Sequence, residues 1–182
     1  MIDNSIIEDC RNGKMNRFRE LINLTSPFAF SIAFRMLGDE EDARDVVQDA
    51  MVIIWQKIGK IKSAGAYKTW VYRIVTNRCC DLLRQDKKNP VTGQDEKAWA
   101  LISETISDTN VLKFENEELA AIIRVLTERL SPRQKTVFVL SEIEQLSAIE
   151  ISEITGMSRT SIKSNLCIAR KNISEMLEIY VR

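Results

Sequence analysis

The sequence predicts an all-α protein with two small helical domains joined by a flexible linker. Three observations support this fold class. Only six Gly and three Pro occur in 182 residues, apolar residues recur at helical spacing in both halves, and a polar stretch interrupts that pattern in the middle. We expect residues 1–88 and 119–182 to form the domains and residues 89–118 to form the linker.

The sequence of the first domain predicts a succession of helices. Ser26–Pro27 is typical of a helix start, because serine caps well and proline suits the first helical position. Gly38 marks the end of that helix, and Asp39 is a candidate N-cap for the next one. We expect a loop over residues 59–65 and a last helix from about residue 67 to residue 84.

The second domain predicts a helix-turn-helix. Ser131–Pro132 restarts a helix, and Ser147 with Glu150 matches a capping box. Gly156 ends the short helix that follows, and Ser158 can cap a long final helix. A short helix, a glycine-containing turn and a long helix are typical of this DNA-binding motif.

Composition excludes several classes of function. The chain has no histidine, which removes the most frequent general base and zinc ligand. Its four cysteines form no C-x-x-C pair, so we expect neither a metal site nor a disulfide framework. No apolar run is long enough for membrane insertion, and no signal peptide is evident. We therefore expect a cytoplasmic protein without a metal, a cofactor or catalytic residues.

The charges balance overall but not locally. The chain carries 26 basic and 26 acidic residues. Six of the acidic residues fall within Asp39–Asp49, whereas nine basic residues fall within Lys57–Lys88. A charge run is usually a solvated helix face, but two opposite patches side by side favour two different partners.

The final helix is the strongest candidate for contact with duplex DNA. From Met157 to Lys171 it carries four basic residues and no acid, with short polar side chains between them. Cations and hydroxyls on a helix suit phosphates and the base edges of the major groove. The alternative is a solvated basic helix, but the capped helix and tight turn before it favour DNA.

The segment from Ile61 to Arg73 is a candidate for contact with single-stranded DNA. Aromatic residues alternate there with Lys and Arg beside a small-residue loop. Stacking faces and cations are what unpaired bases and their phosphates require. Each aromatic residue alone could equally belong to the core.

The acidic helix admits two interpretations. Carboxylates such as Asp42, Asp45 and Asp49 could serve acid–base chemistry or bind Mg²⁺. No phosphate-binding glycine loop or histidine accompanies them. We therefore favour a protein-docking face or a solvated face over catalysis.

These motifs resemble a known family. The segments at residues 18–21, 36–49 (MLGDEEDARDVVQD) and 67–77 (YKTWVYRIVTN) are similar to region 2 of bacterial sigma-70-type sigma factors. The segments at residues 130–134 (LSPRQ), 151–158 (ISEITGMS), 162–164 and 169–170 are similar to region 4. The match is to the small extracytoplasmic function (ECF) group.

The resemblance implies a role for each set of residues. Four residues correspond to the stretch that docks on the clamp helices of the polymerase β′ subunit: Asp42, Asp45, Gln48 and Asp49. Nine correspond to the loop and helix that capture and melt the −10 element: Lys60, Lys62, Tyr67, Lys68, Trp70, Tyr72, Arg73, Asn77 and Arg84. Seven correspond to the helix that reads the −35 element: Arg159, Thr160, Lys163, Ser164, Cys167, Arg170 and Lys171.

The sequence thus predicts a non-enzymatic sigma factor that binds core RNA polymerase, including its β′ and β subunits, and promoter DNA. By the same resemblance we expect an anti-sigma factor, which in this family is frequently membrane-anchored. One rival is a helix-turn-helix regulator that binds duplex DNA without polymerase; it leaves the acidic helix and the aromatic–basic segment unused. A metal-dependent nuclease using Asp42, Asp45 and Asp49 is a remote second rival.

Overall fold

The computed structural model describes residues 2–86, 125–127 and 129–180, and within them it contains helices and no strand. The expected linker at residues 89–118 lies outside this part, as does most of the segment that leads into the second domain. The elements are α1 (Asn4–Arg11), α2 (Met15–Leu37), α3 (Glu40–Lys57), the 3₁₀ turn (Ile58–Lys60), α4 (Ala64–Asp86), α5 (Pro132–Phe138), the π turn (Val139–Ile143), α6 (Ala148–Thr155) and α7 (Arg159–Tyr180).

The first four helices form a bundle in which α2, α3 and α4 pack against one another and α1 packs on α2. Ile32 and Met36 on α2, Ile54 on α3 and Val71 on α4 are fully buried. Their spacing is helical, so each helix turns one apolar stripe inward. In the bundle, the opposite faces of α3 and α4 therefore point away from this core.

Local capping signals fix the helix ends as the sequence predicts. Asp39 caps α3 by accepting a hydrogen bond from the Asp42 N–H at 3.0 Å. Ser131 and Ser147 each complete a capping box, at the starts of α5 and α6. Gly38, which ends α2, lies in the left-handed region with φ of 68°, where glycine is favoured.

The predicted helix start at Ser26–Pro27 is wrong, because α2 runs through both residues. The Ser26 hydroxyl donates to the Ile22 carbonyl at 2.9 Å instead of capping a new helix. Proline inside a helix costs about 3 kcal/mol. Leu21 and Ala29, on either side of the proline, are both fully buried, and this shared packing outweighs the local signal.

The C-terminal helices pack against the bundle on the side of α4. Both α5 and α6 contact α4, and the π turn contacts α2. Buried residues of both halves, such as Tyr72 of α4 and Ile154 of α6, belong to one hydrophobic cluster. The outward face of α4 is therefore an interface, whereas that of α3 is not covered by these helices.

Candidate polymerase and nucleic-acid interfaces

Four polar residues on α3 form a surface that we call the docking face: Asp42, Asp45, Gln48 and Asp49. Asp45, Gln48 and Asp49 are exposed and Asp42 is half-buried, while Ala43, Val46 and Ala50 fill the core behind them. Asp49 pairs with Arg78 of α4 at 3.3 Å. Asp45 and Asp49 line an open groove beside α4, and exposed carboxylates suit contact with a cationic protein surface.

The docking face continues into two exposed apolar side chains that the sequence analysis did not identify. Val52 is 51% exposed and Trp55 is 45% exposed. They follow Gln48 at helical spacing, so the three lie along one side of α3. Trp55 also packs edge-on against Phe18, with ring centroids 4.5 Å apart. Exposed apolar residues beside a polar patch are typical of protein interfaces.

Lysines surround the loop before α4. Lys60, Lys62 and Lys68 are exposed. The loop is held from a distance, because the Ala64 N–H at the start of α4 donates to the Asn4 side-chain oxygen at 2.8 Å. Asn4 supports this loop, and sequence reasoning missed it because the two positions are 60 residues apart.

The prediction that Tyr67 offers a stacking face is wrong in this arrangement. Its side chain is fully buried, and its hydroxyl lies 2.8 Å from the Thr25 hydroxyl in a hydrogen bond. Burial raises the pKa of Tyr67 to about 12. An aromatic ring at an inward position of a helix packs in the core, whatever its neighbours in sequence.

Trp70 and Tyr72 are placed differently from each other. Trp70 is half-buried and packs edge-on against Tyr67, with centroids 6.2 Å apart. Tyr72 is only 5% exposed, and its hydroxyl donates to the Glu144 carboxylate at 3.0 Å. Burial and the Glu144 charge raise the pKa of Tyr72. Only Trp70 therefore keeps part of its ring accessible.

The three remaining predicted residues of α4 lie on its side toward the C-terminal helices. Arg73 donates from Nε to the Ile154 carbonyl at 3.3 Å and from Nη2 to the Glu153 carbonyl, both near the end of α6. Asn77 and Arg84 are exposed and line the cleft, and Arg84 pairs with Asp81 at 2.9 Å. Arg73 is thus already bound by the C-terminal half.

The predicted residues of the final helix lie together on the exposed side of α7, which we call the reader face. Ile162, Ala169 and Met176 are buried on the opposite side. The Ser158 hydroxyl accepts from the Ser161 N–H at 3.2 Å and so caps the helix as predicted. All seven residues of the reader face are exposed: Arg159, Thr160, Lys163, Ser164, Cys167, Arg170 and Lys171.

Two cations of the reader face have acidic partners. Arg170 donates to Glu142 of the π turn at 2.7 Å, and Lys171 lies 3.6 Å from Glu175. Exposed pairs of this kind contribute roughly 0–1 kcal/mol and exchange readily. They leave the helix suited to contact with phosphates and base edges.

The described residues contain no cluster of His, Cys, Asp and Glu that could hold a metal ion. Over the same part of the chain, no helix has the length and apolar character to cross a membrane.

Comparison with known proteins identifies the family. The family models for Sigma-70 region 2 and Sigma-70 region 4 match residues 21–89 and 120–173. The chain belongs to the ECF group of the sigma-70 family. It is an RNA polymerase sigma factor and acts in transcription initiation.

Relatives and solved structures agree with this assignment. The sigma factor is 26% identical to the ECF RNA polymerase sigma factor SigW of Bacillus subtilis over 179 residues, or 94% of each chain. It is 27% identical to RNA polymerase sigma factor SigV of the same species, covering 78% of this chain and 80% of the relative. Its fold matches CnrH in a complex with the cytosolic domain of CnrY, with a TM-score of 0.67, 21% identity and 96% of each chain covered. It also matches RpoE bound to the anti-sigma factor NepR from Bartonella quintana, with a TM-score of 0.61, 20% identity, and 89% and 97% covered.

Proposed function

We propose that this sigma factor binds core polymerase through the docking face, opens the −10 element with the loop before α4 and with α4 itself, and reads the −35 element with the reader face. The observation that carries the proposal is the segregation of charge. Exposed carboxylates gather on α3, while exposed cations gather at the start of α4 and on α7. Each surface matches the chemistry of one partner.

The docking face suits the polymerase because it combines charge with apolar area. Asp45 and Gln48 supply exposed polar groups, and Val52 and Trp55 supply a partner for apolar side chains. Interfaces commonly place aromatic residues at their centre and polar groups at the rim. We therefore extend the docking face to Trp55.

We assign melting of the −10 element to exposed cations and to Trp70. Lys60, Lys62 and Lys68 can follow the backbone of an unpaired strand, and Trp70 offers the accessible part of its ring. Because Tyr67 is buried, it supports this surface from beneath instead of contacting a base.

We further propose that the protein is not an enzyme, that it acts in the cytoplasm beside the polymerase, and that an anti-sigma factor restrains it. The proposal that the protein is not an enzyme rests on the lack of a metal-binding cluster in the described residues and of a catalytic motif in the sequence. The proposal of an anti-sigma factor rests on two structural matches, one of which is a sigma factor bound to an anti-sigma factor. We keep residues 1–88 and 119–182 as the two domains and residues 89–118 as the linker.

Core binding is the decisive experiment. Asp45→Lys combined with Gln48→Ala should weaken affinity for purified core polymerase at least about tenfold, measured by fluorescence anisotropy, because a repulsive charge enters the interface. The control is Glu8→Lys, which makes a matched charge change at an exposed position of α1. Equal affinity of both variants for core polymerase would show that the docking face does not bind it.

Run-off transcription with core polymerase on a library of genomic fragments then tests the whole function. Transcripts that begin at defined sites only when the sigma factor is present are the expected result. The rival helix-turn-helix regulator predicts binding to duplex DNA with no dependence on core polymerase.

A further inference from the structure

The reader face of α7 has two edges of opposite character. An α-helix turns about 100° per residue, so each side chain can be placed around the axis relative to the buried stripe of Ile162, Ala169 and Met176. One edge of the exposed side carries long cations: Arg159, Lys163 and Arg170. Ile168 lies at the other edge and is 43% exposed. The exposed side of α7 therefore offers charge along one edge and an apolar side chain along the other.

Short side chains fill the middle of the reader face. Between the start of α7 and Ile168, the exposed residues in the middle are Thr160, Ser164 and Cys167. None of these side chains is long enough to hold the helix away from the floor of a groove. The backbone of α7 can therefore approach DNA closely, which brings the longer side chain of Ile168 to the base edges.

Asn165 is not available to read a base in this structure. An asparagine reads adenine by donating to N7 and accepting from the N6 amino group at the same time. Asn165 is half-buried, and its amide nitrogen donates to the Ser161 carbonyl at 2.8 Å and to the Ser161 hydroxyl oxygen at 3.3 Å. Because this amide is turned back onto its own helix, base discrimination must come from neighbouring residues.

Ile168 occupies a position that suits contact with a groove. It forms one stripe along α7 with Ser164, Cys167 and Lys171, at the spacing of neighbours on a helix face. Recognition helices line the major groove with such a stripe. A single exposed isoleucine is ordinary on a protein surface, but this one interrupts a run from residue 157 to residue 171 that has four cations and no acid. The surroundings of Ile168 are thus complementary in charge to DNA.

We propose that Ile168 contacts the C5 methyl group of a thymine in the major groove, and that this chain thereby selects an A·T pair at one position of the −35 element. Thymine alone among the four bases presents a methyl group in that groove, and apolar side chains recognise it there. The cations of the opposite edge bind phosphates and set the affinity, whereas Ile168 sets a base preference. The inference rests on the proposed function of the reader face.

Deoxyuridine tests this contact, because it pairs as thymidine does and lacks only the C5 methyl group. A promoter fragment recovered by run-off transcription supplies the −35 duplex, and each of its thymines is replaced in turn. We expect one position at which deoxyuridine weakens binding by the reconstituted polymerase holoenzyme roughly fourfold, measured by fluorescence anisotropy, because one methyl group is no longer buried.

Substitutions at Ile168 assign the effect to this side chain. Ile168→Ala should weaken binding of the thymine duplex at least about fourfold and should no longer distinguish thymine from deoxyuridine at that position. Ile168→Val, which keeps a branched apolar side chain, should retain part of the distinction. The matched control is Ile149→Ala, the same change at an isoleucine of α6 that is 51% exposed. This control should respond to deoxyuridine as the wild type does.

Several results would overturn the inference. One is wild-type binding that deoxyuridine leaves unchanged at every position, and another is an Ile168→Ala variant that keeps the wild-type response. Lower affinity of Ile168→Ala for core polymerase, with an unchanged response to deoxyuridine, would show that Ile168 contacts protein instead. A wild-type holoenzyme with no affinity for the −35 duplex would reject the proposed function of the reader face, and the inference with it. Binding by the wild type therefore distinguishes the two failures.

Discussion

The two helices proposed to face DNA hold their functional residues in opposite ways. All seven residues of the reader face on α7 are exposed, whereas α4 buries Tyr67 fully and Tyr72 almost fully. The difference follows from position, because α7 has one free side while α4 packs against α2, α3, α5 and α6. In a small bundle, aromatic rings on a central helix pack in the core. Exposed cations therefore indicate a nucleic-acid surface more reliably than aromatic residues do.

The largest expected effect is a loss of stability when a buried residue of α4 is removed. Tyr67→Ala should destabilise the chain by about 3–5 kcal/mol, because a large aromatic side chain leaves a cavity in the core. Guanidinium chloride denaturation followed by circular dichroism measures this loss. A reader-face change such as Ser164→Ala should leave stability within about 0.5 kcal/mol.

Tyr67→Phe separates packing from hydrogen bonding at the same position. It keeps the ring and removes only the bond to the Thr25 hydroxyl, so the expected loss is about 1 kcal/mol. A fully stable Tyr67→Ala variant that fails only in promoter opening would contradict the core assignment and restore the stacking role.

The next effect concerns cations beside α4. Lys60→Ala with Lys62→Ala should weaken single-stranded −10 DNA binding by the polymerase complex roughly 25-fold near 0.1 M salt, because two phosphate contacts are lost. The salt slope should fall by about 1.4 at the same time. The matched control is Arg19→Ala, an exposed cation on α2. An unchanged salt slope would show that the loop is only a connector.

These contrasts show which parts of the molecule the sequence could predict. The caps at Asp39, Ser131 and Ser147 depend on residues three positions away, and all three formed as expected. The exposed reader face follows from the helical period alone. Local chemistry and periodicity therefore predict the helices and their outward cations.

What the sequence could not predict depends on distant contacts. Asn4 binds the start of α4 across 60 residues, and Glu144 binds Tyr72 across 72. No periodic signal marks such a partner. The wrong prediction of a helix start at Pro27 has the same origin. Residues before and after this proline are buried in the core, and their packing outweighs the local start signal.

A smaller effect is expected on the reader face. Lys163→Ala should weaken duplex −35 binding about eightfold near 0.1 M salt and lower the salt slope by about 0.9, if Lys163 contacts one phosphate. Fluorescence anisotropy at several salt concentrations measures both. A base contact would instead relax the preference at one position and leave the slope almost unchanged.

The smallest effect is expected at Arg170, and it sharpens the comparison within α7 itself. Arg170 already donates to Glu142 at 2.7 Å, so binding to DNA must first break that pair. Arg170→Ala should therefore weaken duplex binding less than Lys163→Ala, by below about threefold, since an exposed pair contributes roughly 0–1 kcal/mol. Glu142→Gln gives the reverse test, because it releases the guanidinium while keeping the shape of the side chain. Duplex affinity should then rise, and combining Glu142→Gln with Arg170→Ala should cancel the gain. A gain that survives the double substitution would mean that removing the Glu142 charge acts on DNA directly and that Arg170 takes no part in binding.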